Sequence, residues 1–438
     1  MRLLILGAGV SGVAAARLGR RLGHSATVHD ASAGAGTALI GEGIAVVNGR
    51  WEPDLLGGID LVVTSPGIPL RAAPITDARE AGIPVWSELE FAWRHLESPV
   101  VAVTGTNGKT TVTEAAAAML AASGLSTAAV GNIGTALSSV VGESFDVLVV
   151  EASSFQLELT DSVRPDTAVL LNLAPDHLDW HPSYAAYAAA KAKIFANQEG
   201  GDLLVYDADD PGVEPLVTSI RARHNPPRLW PVSGNRRPAG GSGPADGVLR
   251  LPGVEIPLTD LASPDPILVV DLAAAAVAAS NHGARPEAVT SVCRRFRPGP
   301  HRRTVVAERG GVAFVDDSKA TNPHAALASI SAYSSVVLIA GGISKGLDIS
   351  PLAQVAHVRH VVALGESAPV LVKAAGPGRA TMVDSMEEAV AVATGIAQPG
   401  DTVLLAPGCA SFDMFESYGA RGDSFASAVK RLVSGGAA

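Results

Sequence analysis

The sequence predicts an α/β protein of three domains: an N-terminal Rossmann-like domain, a central P-loop-type parallel sheet and a C-terminal Rossmann-like domain. Three observations carry that prediction. Short apolar runs alternate with alanine-rich helical stretches almost from end to end, the pattern of parallel α/β layers. Two glycine loops, at Gly7 and at Gly105, stand where a strand hands over to a helix. The 438 residues allow about three domains at roughly 150 residues each.

The first domain, residues 1–97, holds candidate strands Arg2–Leu6, Ala26–His29 and Asp60–Thr64, with Ser87–His95 as a closing helix. Glu97-Ser98-Pro99 breaks the pattern and opens the second domain, 98–297. Its strands are expected near Val100–Thr104, Val147–Val150, Ala168–Leu173 and Leu203–Tyr206, with helices over Thr111–Ala122 and Ser183–Asn197. Asn235–Gly247, rich in Gly and Pro, reads as an exposed loop. Arg297-Pro298-Gly299-Pro300 links to the third domain, 298–438, with strands Val312–Val315, Val336–Ala340, His360–Leu364 and Thr402–Leu405.

Apolar residues make up 47% of the chain and charged residues 17%, enough to bury large cores. The net charge of −10 argues against a nucleic-acid surface. Two cysteines, Cys293 and Cys409, do not make a disulfide framework and suit a reducing compartment. No apolar run approaches the roughly 18 residues of a membrane span. The opening Met1-Arg2-Leu3-Leu4-Ile5-Leu6 mimics a short secretory signal but breaks at Gly7, and it reads as strand, turn and helix start. A cytoplasmic monomer is the expectation.

Gly7-Ala8-Gly9-Val10-Ser11-Gly12 matches G-x-G-x-x-G, and Asp30 ends a second strand where an acid would meet a ribose hydroxyl. Taken alone, this favours a nicotinamide enzyme, but any diphosphate fits such a loop, UDP as well as NAD. A tight turn that binds nothing is the remaining alternative. The second loop, Thr104-Gly105-Thr106-Asn107-Gly108-Lys109-Thr110, follows one strand and opens one helix. Its backbone N–H groups suit phosphates, Lys109 the β/γ charge and Thr110 a Mg²⁺ ion. It departs from G-x-x-x-x-G-K-[ST] because Val103 replaces the first glycine.

The second loop resembles that of the Mur ligases and the related folylpolyglutamate synthetases, which make amide bonds by ATP-driven acyl-phosphate chemistry. Four further segments are similar: Val130-Gly131-Asn132-Ile133-Gly134; Glu151-Ala152-Ser153-Ser154-Phe155-Gln156-Leu157-Glu158; Asp176-His177-Leu178-Asp179 with Lys191; and Asp317-Ser318-Lys319-Ala320-Thr321-Asn322. The ending Ser411-Phe412-Asp413-Met414-Phe415, with Tyr418 and Arg421-Gly422, extends the likeness over nearly the whole chain. The resemblance implies ATP and Mg²⁺ as cofactors. It implies addition of D-glutamate to a UDP-N-acetylmuramoyl-L-alanine acceptor in peptidoglycan precursor synthesis. Handedness itself is a matter of pocket geometry.

By that resemblance the first domain seats UDP rather than a nicotinamide, through Gly9, Val10, Ser11, Asp30, Ser65 and Gly67, with Asn132 and His177 touching the same substrate. ATP falls to Gly105, Thr106, Asn107, Gly108, Lys109, Thr110 and Thr111, with Arg302 and Asp317 from the third domain. If ATP sits between domains two and three, closure has to complete the site. Asp271 stands where an asparagine is expected to contact adenine, and a carboxylate loses the amide donor. Thr110, Glu151, His177 and Lys191 are the implied metal group, and Lys109, Glu151, His177 and Lys191 the catalytic one. Lys319, Thr321, Lys345, Ser411, Phe412 and Tyr418 are implied to hold glutamate.

Two of these residues can also be argued without the family. Glu151 ends the apolar run Phe145–Val150, where packing explains an acid poorly, although a solvated strand-end carboxylate is the alternative. Tyr184, Tyr187 and Phe195 repeat at helical spacing with Lys191 inside their stripe and Lys193 opposite. An inward lysine is costly unless paired or uncharged, although a long stem that snorkels out to water is the alternative. The resemblance makes Lys191 a carbamylated lysine. A nicotinamide oxidoreductase leaves the Gly105 loop and Glu151 unexplained, and a catalytically dead binding protein would lack Lys109, Glu151 or Lys191.

Overall fold

A computed structural model describes residues 1–434. The chain divides into two compact units, Met1–Leu173 with Ala185–Phe296, and Ala174–Tyr184 with Arg297–Ala438.

The first unit holds two parallel sheets. One is built from β1 (Arg2–Leu6), β2 (Ser25–Asp30), β3 (Ala45–Asn48), β4 (Leu61–Thr64) and β5 (Val85–Ser87), in the order β3-β2-β1-β4-β5. Leu3 to Leu6 are all buried, as expected for a strand covered on both faces. Chain order reverses between β1 and β4, so the carboxyl ends of these two strands bound the crevice where such sheets present ligands. The Ser87 hydroxyl caps the helix Glu88–Trp93 by accepting the Glu90 N–H. That helix ties the first sheet to the second: the Glu88 carboxylate takes the Ser138 N–H at 2.6 Å, and Glu90 takes those of Asp161 and Ser162.

The second sheet comprises β6 (Val100–Thr104), β7 (Thr127–Gly131), β8 (Val147–Glu151), β9 (Thr167–Leu170), β10 (Leu203–Asp207) and β11 (Arg228–Val232), ordered β11-β10-β9-β6-β8-β7. The helices Lys109–Ala122 and Pro266–Asn281 pack on each other beside it, and their many alanines let the backbones approach closely. A small antiparallel sheet follows, β12 (Gly243–Ala245), β13 (Val248–Leu251) and β14 (Val254–Pro257).

The second unit is built on β15 (Thr304–Arg309), β16 (Val312–Asp316), β17 (Val336–Ala340), β18 (Val358–Ala363), β19 (Ala380–Met382) and β20 (Thr402–Leu405). Their order is β15-β16-β20-β17-β18-β19, parallel except for the β15 hairpin.

Three expectations need correction. Asn235–Gly247 is not wholly an exposed loop, because Gly243–Ala245 forms the edge strand β12 and Ser242 is buried. Ser242 is held there by backbone bonds to Pro231 and Ser233 and by the Trp230 indole. The strand expected over Ala168–Leu173 ends at Leu170. Beyond it, Asn172 turns to pair with the Gly105 loop. The helix expected over Ser183–Asn197 runs only from Tyr184 to Ala192 before tightening to a 3₁₀ turn over Lys193–Phe195.

Both cysteines are free and buried, and burial pushes the Cys293 thiol up to about 12, so it is inert at neutral pH. Asp207, ending β10, is pushed up to about 7 by burial, while its bond from Asp209 N–H opposes the shift and the charges of Asp209 and Asp210 add to it. The folded state then holds this proton after the unfolded state has lost it. Stability should fall as pH rises from about 4 to 7. Asp207→Asn should remove that part of the slope and add about 1–2 kcal/mol at pH 8, read from chemical denaturation at both ends of the window.

Candidate active site

In the first sheet, the glycine loop after β1 opens the helix Val10–Arg21. A Cβ on Gly12 would lie 1.8 Å from the Gly7 carbonyl oxygen, so the turn closes only with glycine there. Gly9 and Val10 are exposed at the helix start, where backbone N–H groups favour an anion. The Asp30 carboxylate accepts the Ala8 N–H at 2.7 Å and the Ser32 N–H at 2.8 Å, and these two bonds hold it below the usual carboxylate range. Asp30 therefore braces the loop from the next strand. Ser65, after β4, contributes a buried hydroxyl with no hydrogen-bond partner, lying against Gly7 and Gly12 at the point where strand order reverses.

In the second sheet, the Gly105 loop leaves β6 with its neighbours β8 and β9 on either side. Lys109 Nζ donates to the carbonyls of Gly105 and Thr106, each at 2.9 Å. Lys191 is 2% exposed and donates to the same Gly105 carbonyl at 2.7 Å, with its ammonium 4.8 Å from the centre of the Tyr187 ring. Two lysines from different helices thus converge on one oxygen at the start of a phosphate-type loop. Lys193, in the 3₁₀ turn that follows the helix of Lys191, donates to the Glu158 carbonyl. Asp271 is buried with its carboxylate against Gly108, leaving no room for a side chain at that glycine.

Glu151, the last residue of β8, is 2% exposed. One carboxylate oxygen accepts Asn132 Nδ2 at 2.9 Å, and the other is buried with no hydrogen-bond partner. A desolvated anionic oxygen left without a donor is expensive, and a hard divalent cation is the partner that suits it. The residues here therefore fit Mg²⁺, which takes one or two carboxylates and completes its shell with water and phosphate oxygens.

Two residues that hold this loop were not picked out in the sequence. Asn172 exchanges two bonds with the Asn107 backbone, and its carbonyl accepts the Thr106 N–H at 2.8 Å. Tyr187, read only as part of a stripe, bonds the Thr106 hydroxyl at 2.9 Å through its phenol. A bulky residue in a stripe and an asparagine after a strand carry no local signal that they meet this loop.

In the second unit, His177 takes a left-handed backbone (φ 53°) and has a side chain 36% exposed. Its neighbour Asp176 forms a 2.5 Å ion pair with Lys345 and accepts Asn322 Nδ2 at 2.9 Å. Desolvation pushes the Asp176 carboxyl up, but the charges of Lys345 and His177 and the bonds from Lys345 and Asn322 outweigh it and hold it below its usual range. Lys319 Nζ lies 3.9 Å from the centre of the Tyr418 ring. Ser411 is buried, and Phe412 is 72% exposed. Thr321 follows Lys319 in a tight turn, its N–H donating to the Lys319 carbonyl. Asp317 accepts the Arg303 N–H and is pushed up to about 6 by burial. Arg302 sits beside His301, which pairs with Asp316 at 2.7 Å.

Three family models match the chain: Mur ligase MurD-like N-terminal domain over 1–87, Mur ligase middle domain over 103–229, and Mur ligase glutamate ligase domain over 301–409. A UDP-N-acetylmuramoylalanine–D-glutamate ligase from Frankia casuarinae is 44% identical, with 98% of this chain and 93% of the relative covered. The ligase of the same name from Pelotomaculum thermopropionicum is 39% identical, with 99% and 98% covered. Among solved structures, a pseudomurein peptide ligase type C from Methanothermus fervidus shares the fold at a TM-score of 0.61 and 17% identity, over 98% of this chain and 99% of that one. UDP-N-acetylmuramate–alanine ligase from Thermotoga maritima does so at 0.58 and 19%, over 99% and 100%. The chain belongs to the Mur ligase family.

Proposed function

We propose that this enzyme uses ATP to join D-glutamate to UDP-N-acetylmuramoyl-L-alanine through an acyl phosphate, in the synthesis of peptidoglycan precursors. The observation that carries this reading is the convergence of Lys109 and Lys191 on the Gly105 carbonyl, beside a buried Glu151 oxygen without a donor. A carboxylate resists attack by an amine because its carbon is electron-rich and its oxygen leaves badly. Phosphorylation supplies a good leaving group, and catalysing that transfer is mostly charge neutralisation and positioning.

In this reading Gly105 to Thr111 cradle the nucleotide phosphates, and Lys109 swings from the loop carbonyls onto them. Glu151 and Thr110 would hold Mg²⁺, which would supply neutralisation of phosphate charge. Asn132 orients Glu151 and contacts the acceptor, and His177 serves that acceptor and the metal group. Lys191 is a carbamate in the working enzyme, an anion in place of a second cation. Arg302 and Asp317 contribute to the nucleotide, with Asp271 against the loop. Lys319, Thr321, Lys345, Ser411, Phe412 and Tyr418 receive glutamate. Gly9, Val10, Ser11, Asp30, Ser65 and Gly67 seat the UDP end.

The proposed domain limits are 1–97, 98–297 and 298–438, and the proposed state is a cytoplasmic monomer. No described helix is long and apolar enough to cross a membrane.

Phosphate release with ATP, Mg²⁺ and UDP-N-acetylmuramoyl-L-alanine, offered each glutamate enantiomer and other amino acids in turn, tests the reading. D-Glutamate should be required. Robust turnover with a different amino acid would sink the substrate assignment and leave the ligase class standing. Asp30→Ala separates the two glycine loops. With its brace to Ala8 and Ser32 gone, KM for the UDP substrate should rise about tenfold while KM for ATP stays within about twofold. A defect confined to ATP would contradict the division.

A further inference from the structure

Arg421 is among the largest fully buried side chains of the protein, 1% exposed, yet it forms no ion pair among the described residues. Burial pulls its guanidinium down to about 10, which leaves it charged at neutral pH. A buried cation with no carboxylate in direct contact is costly; the charges of Asp413 and Asp316 favour it from a distance, and its hydrogen bonds supply the direct partners. Nε donates to the Ser318 hydroxyl at 2.9 Å, Nη2 to the Ser318 carbonyl at 2.9 Å and Nη1 to the Cys409 carbonyl at 3.1 Å. The Ser318 hydroxyl in turn donates to the Tyr418 carbonyl at 2.7 Å, closing a ring with the first turn of the helix Tyr418–Ser434.

The two acceptor loops lie beyond the sheet. β16 ends at Asp316 and β20 at Leu405, and these strands pair with each other without help from Arg421. What Arg421 bridges is the loop of Ser318, Lys319 and Thr321 and the loop that runs from Cys409 to Ser411.

We propose that Arg421 is a positioning residue for the incoming acidic amino acid: its planar fork fixes the spacing between the loop carrying Lys319 and Thr321 and the loop carrying Ser411. This rests on the glutamate assignment given above. A fork reaching three acceptors at set angles is something lysine cannot reproduce, even though lysine keeps the charge.

Arg421→Lys and Ser318→Ala test it by steady-state kinetics with each substrate varied in turn. In Arg421→Lys, KM for D-glutamate should rise about tenfold or more, with those for ATP and the UDP acceptor within about twofold. Ser318→Ala takes the acceptor from Arg421 Nε and the donor from the Tyr418 carbonyl, so it should lower the melting temperature modestly while raising KM for D-glutamate about threefold and leaving those for ATP and the UDP acceptor within about twofold. If Arg421→Lys does not fold, Ser318→Ala decides. An unchanged glutamate KM in the folded variants, or a parallel rise for all three substrates, would overturn the proposal and make Arg421 a purely structural group. Wild-type enzyme that ignores glutamate would instead sink the substrate assignment, so the two failures are distinguishable.

Discussion

Lys109→Ala should abolish turnover while leaving the fold intact. Two of the bonds made by Lys109 are to carbonyls of its own loop, within four residues. The loop backbone is held separately, by Asn172 and by the Thr106–Tyr187 bond. Stability should therefore drop by no more than about 1–2 kcal/mol. In the proposed function the transferred phosphoryl group loses one of the cations that neutralise it, and removing one such group typically costs about 10²–10³-fold or more in kcat. Phosphate release paired with a thermal melt checks both halves. Near-normal turnover would mean that the loop does not hold phosphate.

The second large effect is expected at Lys191. Its ammonium shares the Gly105 carbonyl with Lys109, so two like charges stand at one oxygen inside the protein. In the proposed reading the Lys191 amine adds to the carbon of CO₂ and releases a proton to leave a carbamate anion. Lys191→Ala should lose about 10²-fold or more in kcat, because the anion it removes acts beside the phosphate loop. A small carboxylic acid such as acetate should restore part of the loss by occupying the vacated space. Lys193→Ala, which gives up only a bond to the Glu158 carbonyl, should remain close to wild type. An active Lys191→Ala enzyme would count against the assignment, as would a dead one that no carboxylate rescues beside an equally damaged Lys193→Ala.

Lys191 also marks the boundary between what was legible in the sequence and what was not. Its inward position follows from the spacing of Tyr187 and Phe195, because helical periodicity reports which side of an element faces the core. Strands Val336–Ala340 and Thr402–Leu405 were readable for the same kind of reason: a parallel strand buried on both faces is a continuous apolar run. The glycine loops were readable because positions such as Gly12 and Gly108 leave no room for a side chain. All of these are local properties.

Which groups meet across space is set by strand order and helix packing, and sequence spacing does not encode them. The meeting of Lys191 with Lys109 at Gly105, the Asn172 brace, the Asp176–Lys345 pair and the Arg421 fork all join distant parts of the chain. The turn-like composition of Gly241 to Gly243 concealed the start of strand β12. The sequence by itself determined the α/β class and the two glycine loops at the strand–helix junctions. Tertiary structure alone decided which charges share an oxygen and which acid is left without a donor, because those depend on distances of a few ångströms between elements that periodicity cannot place.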